Sequence, residues 1–193
     1  RDVLFNRDIK PGGLAEYGIY PVKYTMKEGL RKQFRQIMAL SNLDYYGNVA
    51  IGADGDLTLD QLLMLGFDAI LVTAGAQGTK SLGLPGEDLV GVYHAKDLVY
   101  HYNHLPPFSM KPFEIGKRCA IIGAGNVMVD IARHLINVQK ADEVTAVVRR
   151  GPAEVNFTKE EMKHLIAYLD LDQFEKELVR VLPALQAINQ DPE

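Results

Sequence analysis

Glycines, one asparagine, two arginines and two carboxylates between positions 118 and 161 have the types and spacing to bind a nucleotide. The run Arg118-Cys119-Ala120-Ile121-Ile122-Gly123-Ala124-Gly125-Asn126-Val127-Met128-Val129-Asp130 reads as an apolar strand, a glycine turn and the start of a helix. Gly123 permits the tight turn, and Gly125 lets backbone N–H groups approach an anion. The N-terminus of the following helix adds unpaired donors and the positive end of its dipole. Val127, Ile131 and Leu135 fall on one face of that helix. A second apolar strand at 144–148 follows and ends on Arg149 and Arg150. The unit has the length of about thirty residues expected of a dinucleotide site. One departure is Met128, at a position where Gly or Ala normally allows close helix–strand packing. The same parts also describe a packed strand–helix–strand with no ligand.

The end of the second strand decides between coenzymes. A site for NAD places an acidic residue there to hold the ribose 2′-hydroxyl, whereas Arg149 and Arg150 suit a dianionic 2′-phosphate by charge and bidentate geometry. The expected ligand is NADP.

These residues need a scaffold, and the bulk properties bound it. The chain has 193 residues, 47% of them apolar, which suits a globular core. Its 21 basic and 25 acidic residues leave a net charge of −4, with no electrostatic footprint for nucleic acid or an anionic membrane. No apolar run is long enough to span a bilayer, and no signal-peptide pattern opens the chain. Cys119 is the only cysteine, which excludes an internal disulfide and is compatible with a reducing, cytoplasmic setting. It reads as a small core residue in a buried strand. The first residue is Arg, and a strand is already under way at 2–6, as expected of a fragment of a longer protein.

Along the chain, helical spacing covers 26–40, with Leu30, Phe34, Ile37 and Met38 on one side. A short strand is expected at 45–51, and Thr58 with Gln61 has capping-box spacing ahead of a short helix through 65. The apolar run 67–74 suits a central parallel strand buried on both faces. It ends in the small-residue turn Thr73-Ala74-Gly75-Ala76. Pro85-Gly86 marks a loop, and 95–102 a short helix. Gly151-Pro152 breaks the chain after the arginines, Thr158 opens a helix with Glu161 at capping-box spacing, and a last helix runs from the region of Asp172. Strands alternate with helices throughout, so the fold class is α/β.

The motifs and their order carry a family resemblance. They are Pro11-Gly12-Gly13-Leu14-Ala15-Glu16-Tyr17-Gly18-Ile19, Tyr46-Gly47-Asn48-Val49, Thr73-Ala74-Gly75-Ala76, Leu84-Pro85-Gly86-Glu87-Asp88, Tyr102-Asn103-His104-Leu105-Pro106, the glycine turn, and Arg149-Arg150-Gly151-Pro152 with Phe157-Thr158. From residue 2 to the region of residue 165 the series resembles the adrenodoxin-reductase-like ferredoxin–NADP reductases, and more broadly the small subunit of glutamate synthase. Arg-Arg-Gly-Pro followed by Phe-Thr favours the former branch. The resemblance implies a Rossmann-like three-layer NADP-binding domain at 99–193 and part of an FAD-binding domain at 1–98. It implies hydride transfer from NADPH to FAD, and single electrons leaving to a ferredoxin-like iron–sulfur protein.

Carried over by position, Gly13, Leu14 and Ile51 would contact FAD. Asn6 stands where an acidic residue would bind its ribose, and amide for carboxylate keeps a hydrogen bond but loses charge assistance. Gly123, Ala124, Gly125, Asn126 and Val127 would hold the NADP pyrophosphate, Arg149 and Arg150 the 2′-phosphate, and Glu161 would help fix that end of the nucleotide. Asp130 would lie near the electron-transfer site. Plainer readings stand beside these: Gly12-Gly13 as a turn, Glu161 as the cap partner of Thr158, and Asp130 as a solvated residue. His101 and His104 lack the further ligands of a metal site. Lys23, Lys27, Arg31, Lys32 and Arg35 form a basic helical face, read as solvated surface or as docking for an acidic ferredoxin. Two alternatives remain open, a nucleotide-binding or structural module without redox activity of its own, and an electron-input subunit of a glutamate-synthase-like complex.

Overall fold

The consecutive Val3, Leu4 and Phe5 make 2–6 strand-forming, and 24–38 lacks any helix breaker but Gly29, so a strand followed by a long helix is the natural local outcome. The computed structural model, which describes residues 1–76, 78–149 and 151–189, shows this pair as β1 (Asp2–Asn6) and α2 (Tyr24–Met38), with the single turn α1 (Leu14–Tyr17) between them. Helix α2 returns the chain to β2 (Leu43–Gly47), which lies parallel to β1 in register from Asp2 with Leu43 to Asn6 with Gly47. Short α3 (Leu59–Met64) starts on a full capping box: the Gln61 N–H donates to Thr58 Oγ1, and the Thr58 N–H donates to Gln61 Oε1 at 2.8 Å.

Helix α4 (Ala95–Tyr102) completes the first of two compact units, residues 1–112. It buries Leu98, Val99, Tyr100 and Tyr102. Tyr102 meets Tyr20 edge-on at 5.5 Å, and Tyr100 meets Phe108 edge-on at 5.1 Å. Asn103 donates to the carbonyls of Tyr17 and Val99. These ties keep 99–112 with the first unit, so the division falls after Pro112, later than the sequence division at 98.

The second unit, residues 113–193, repeats the plan. Parallel strands β3 (Arg118–Ile122) and β4 (Glu143–Val147) are joined by α5 (Asn126–Asn137) and followed by α6 (Lys159–Met162) and α7 (Leu171–Ala187). The inward face of α5 centres on Val129, which is fully buried with Ala132 and Leu165 against Ile121, Val144, Phe157 and Met162. Met128 packs at the edge of this cluster, its flexible chain accommodated where the fingerprint has a smaller residue. Both units are therefore β–α–β, and the class is α/β.

Three local expectations differ. The run 67–74 forms no strand among the described residues, and Leu71 and Val72 stand 87% and 75% exposed. A strand needs a ladder neighbour, and among the described residues β1 and β2 pair only with each other, so the run has none. Val127 lies 51% exposed in the first turn of α5, whose buried residues begin at Val129. Cys119 is half-buried, its thiol donating to the Gly116 carbonyl at 3.4 Å, and burial pushes its pKa up. Among the described residues no helix is long and apolar enough to cross a membrane.

Candidate functional site

The glycine turn of the second unit joins the C-terminal end of β3 to the N-terminus of α5, the crevice position where open α/β sheets bind ligands. Gly123 has φ +135°, a conformation that side chains resist, and its N–H donates to the Val147 carbonyl at 3.0 Å. That bond sets the end of β4 beside the turn. Arg149, two residues further, is exposed; Arg150 lies outside the described residues.

Gly125, the N-cap of α5, is different. Its φ of −108° is open to any residue, and a Cβ built on it would meet no heavy atom of the described residues within 4 Å. Nothing in the fold therefore requires glycine there. The missing side chain leaves open space before a helix start that no side chain caps. A chain of backbone donors behind open space fits a pyrophosphate.

A second strip of chain lies against this turn. The Asn156 N–H donates to the Ala124 carbonyl at 2.8 Å, and Asn156 forms a parallel bridge with Gly125. The Thr158 N–H donates to Asn126 Oδ1 at 2.9 Å, while Thr158 Oγ1 accepts the Glu161 N–H. The expected reciprocal capping box is thus only half made, because Asn126 accepts the N–H that the Glu161 carboxylate was expected to take. Glu161 is half-buried at the third position of α6. Asp130 is 8% exposed on α5, one turn before the buried His134, so the solvated reading of Asp130 is overturned.

In the first unit a recess of about 240 Å³ collects residues from distant positions. Its walls are the Arg7–Asp8 loop, Gly13 and Leu14, the turn 73–76, and Tyr17 and Tyr100. Gly12 and Gly13 adopt φ +120° and +48°, so the turn reading accounts for both, and the same turn sets Gly13 and Leu14 on the recess. Ile51 is not part of this wall; it bridges Leu57 and stands 41% exposed. The Asn6 amide Nδ2 donates into the adjoining loop, to the carbonyls of Asp8 and Lys10 and to Tyr45 Oη. With its nitrogen committed, Asn6 keeps Oδ1 as the acceptor end, the function a carboxylate has toward ribose hydroxyls.

The basic face of α2 is split by burial. Arg31 grips buried Glu16 bidentately at 2.8 and 2.7 Å, and buried Lys27 donates to Asn103 Oδ1 at 2.8 Å. Two of the five cations therefore hold α1, α2 and α4 together, which sequence spacing did not reveal because Glu16 and Asn103 lie on other elements. Lys32 and Arg35 are exposed.

The hydrogen bonds from Arg31 hold the Glu16 carboxyl below the usual carboxylate range. A depressed folded-state pKa contributes stability that is complete above the ordinary range and is lost as pH falls through the folded value. Between about pH 6 and pH 3, chemical denaturation of Glu16→Gln should show a flatter decline in stability than the parent protein. Parallel declines would deny Glu16 this role.

Among the described residues no group of three His, Cys, Asp or Glu side chains could hold a metal. His101 instead places Nδ1 3.0 Å from the Phe108 carbonyl, within the first unit.

No protein-family model matches the chain. Over 183 residues it is 32% identical to the mitochondrial NADPH:adrenodoxin oxidoreductase of Salvelinus fontinalis, an alignment covering 84% of this chain and 36% of that protein. Over 185 residues it is 33% identical to the NADPH-ferredoxin reductase FprA of Mycobacterium tuberculosis, covering 84% and 38%. A solved structure of that FprA in complex with NADPH superposes with a TM-score of 0.76 at 30% identity, covering 87% of this chain and 40% of the other. By sequence and by fold, the chain is a relative of these reductases. It spans little more than a third of the length of the curated relatives it matches.

Proposed function

We infer that the protein is a flavin-dependent NADPH oxidoreductase, passing electrons between NADP(H) and an iron–sulfur partner such as a ferredoxin. The observation that carries this reading is Gly125: a glycine that no contact among the described residues requires, opening space before a start of α5 that no described side chain caps. Its similarity to reductases named for NADPH supplies the chemistry of the ligand.

The assignment of residues follows the geometry. Gly123 forms the turn, its own N–H held by the Val147 carbonyl, and backbone N–H groups of 124–127 receive the pyrophosphate, in a Rossmann-like, three-layer NADP-binding domain that the second unit represents. Arg149 and Arg150, at the end of β4, pair with the 2′-phosphate, and Glu161 on α6 helps fix that end of the nucleotide. In the first unit, part of an FAD-binding domain, Gly13 and Leu14 meet the flavin cofactor at the recess, with Ile51 as an outlying contact. Asn6 accepts from a ribose hydroxyl through Oδ1. Asp130, buried on α5, lies toward the electron-transfer centre. When bound, FAD supplies the chemistry of accepting a hydride and releasing electrons one at a time. The chain's own contribution is to position the nucleotides and exclude NADH by charge. A cytoplasmic setting goes with this reading.

The test is spectroscopic. Purified full-length protein should show flavin absorbance, bind NADPH in preference to NADH, and reduce a ferredoxin with NADPH. Absence of both flavin absorbance and ferredoxin reduction would end the oxidoreductase reading.

A further inference from the structure

Tyr100 on α4 lines the recess of the first unit and is only 7% exposed, its ring held edge-on to Phe108. A buried tyrosine ordinarily packs its ring and hydrogen-bonds its hydroxyl. Here the ring is packed, yet among the described residues the hydroxyl has no hydrogen-bond partner. Phenylalanine would serve the packing of α4 equally well, so the oxygen has no explanation inside the fold.

The surrounding groups narrow what could bond it. Arg7, on the same recess, pairs with Asp8 Oδ1 through Nε and Nη2 at 3.2 and 3.1 Å, so its charge is balanced there. A balanced recess is poorly suited to a phosphate, which calls for a free cation, and better suited to an uncharged polar ring. Gly13 and the small-residue turn 73–76 form other parts of the wall, where backbone can approach a flat ring closely. The volume of about 240 Å³ falls short of the roughly 300–1,000 Å³ that encloses a whole drug-sized ligand, and admits one part of a larger molecule. Burial pushes the Tyr100 pKa up, so the phenol keeps its proton at neutral pH and can donate it in a hydrogen bond.

We propose that Tyr100 donates a hydrogen bond to a carbonyl or ring nitrogen of the FAD isoalloxazine in this recess. The contact rests on the flavin reading above and adds to it a residue that no sequence motif marked. Electron density rises on those acceptor atoms when the ring is reduced, so a fixed donor bonds the reduced ring more strongly than the oxidised one. Tyr100 thereby favours the reduced cofactor.

The experiment uses the full-length holoprotein and its Tyr100→Phe variant, which keeps the ring against Phe108 and removes only the oxygen. Stripped of FAD, the variant should melt with the parent, because the hydroxyl bonds nothing in the fold. Titrated again with FAD, it should bind about threefold to tenfold more weakly, the worth of one hydrogen bond. Its visible absorbance bands should be displaced, and its reduction potential should be more negative than the parent's. A flavin-free variant that melts below the parent would give the hydroxyl a structural partner and overturn the proposal. An unmoved spectrum and potential would overturn the ring contact, whatever the affinity. A parent protein that neither retains nor binds FAD would bring down the flavin reading and the contact with it, a result the parent alone reveals before any variant is made.

Discussion

Replacing Arg149 and Arg150 together by alanine should weaken NADPH binding by about 100- to 1,000-fold, while NADH binding changes less than about threefold. The magnitude follows from the bonds at stake. A hydrogen bond to a charged group contributes about 1.5–3 kcal/mol, and two guanidiniums on one dianionic phosphate lose about 3–4 kcal/mol together. NADH has a hydroxyl at the 2′ position, so it forfeits none of this. Arg149 is placed suitably, beyond the end of β4, which the Gly123–Val147 hydrogen bond holds beside the turn. Calorimetric titration with the two coenzymes separates the outcomes. Equal losses would show that the arginines act on the pyrophosphate or on folding, and would remove the 2′-phosphate assignment.

The second large effect belongs to Gly125. Substitution by alanine and then valine should leave the fold nearly intact, because φ is −108° and no heavy atom of the described residues lies within 4 Å of the added Cβ. The cost to stability is that of a poorer N-cap, about 1 kcal/mol or less. Coenzyme affinity should fall in steps with side-chain size, reaching about 100-fold or more for Gly125→Val, since the added methyls occupy the space before the donors of α5. Gly123 makes the contrast. Its φ of +135° means that Gly123→Ala strains the backbone itself, costing about 1–3 kcal/mol of stability. If Gly125→Val melted as low as Gly123→Ala, or bound NADPH like the parent, the space before α5 would have no role in binding.

Much of the site was legible because its signals are local. A glycine between a strand and a helix requires only its neighbours to declare a turn, and the 3.6-residue spacing of Ile131 and Leu135 declares a buried face. The Thr58–Gln61 cap was readable for the same reason, both partners lying within one turn. At Thr158 the same pattern misled. Its N–H goes instead to Asn126, 32 residues earlier, and spacing within one turn cannot register a partner so distant. The basic face of α2 failed likewise: Lys27 and Arg31 are inward because Asn103 and Glu16 wait on other elements. The run 67–74 has the composition of a central strand, but composition does not supply the neighbour that a ladder requires.

The sequence by itself determined the class of this protein, the position of its glycine turn, the arginine pair on which the expectation of NADP rests, and the family it resembles. These are properties of residue type and short-range order. Only the tertiary structure decided which glycine the backbone requires and which one stands before open space, since φ and free space at Gly123 and Gly125 are set by the elements around them. It alone turned the amides of Asn6 and Asn126, each oriented by a partner brought near by the fold. A hydrogen bond depends on a distance of about 3 Å, and long-range distances of that kind are set by packing rather than by residue order.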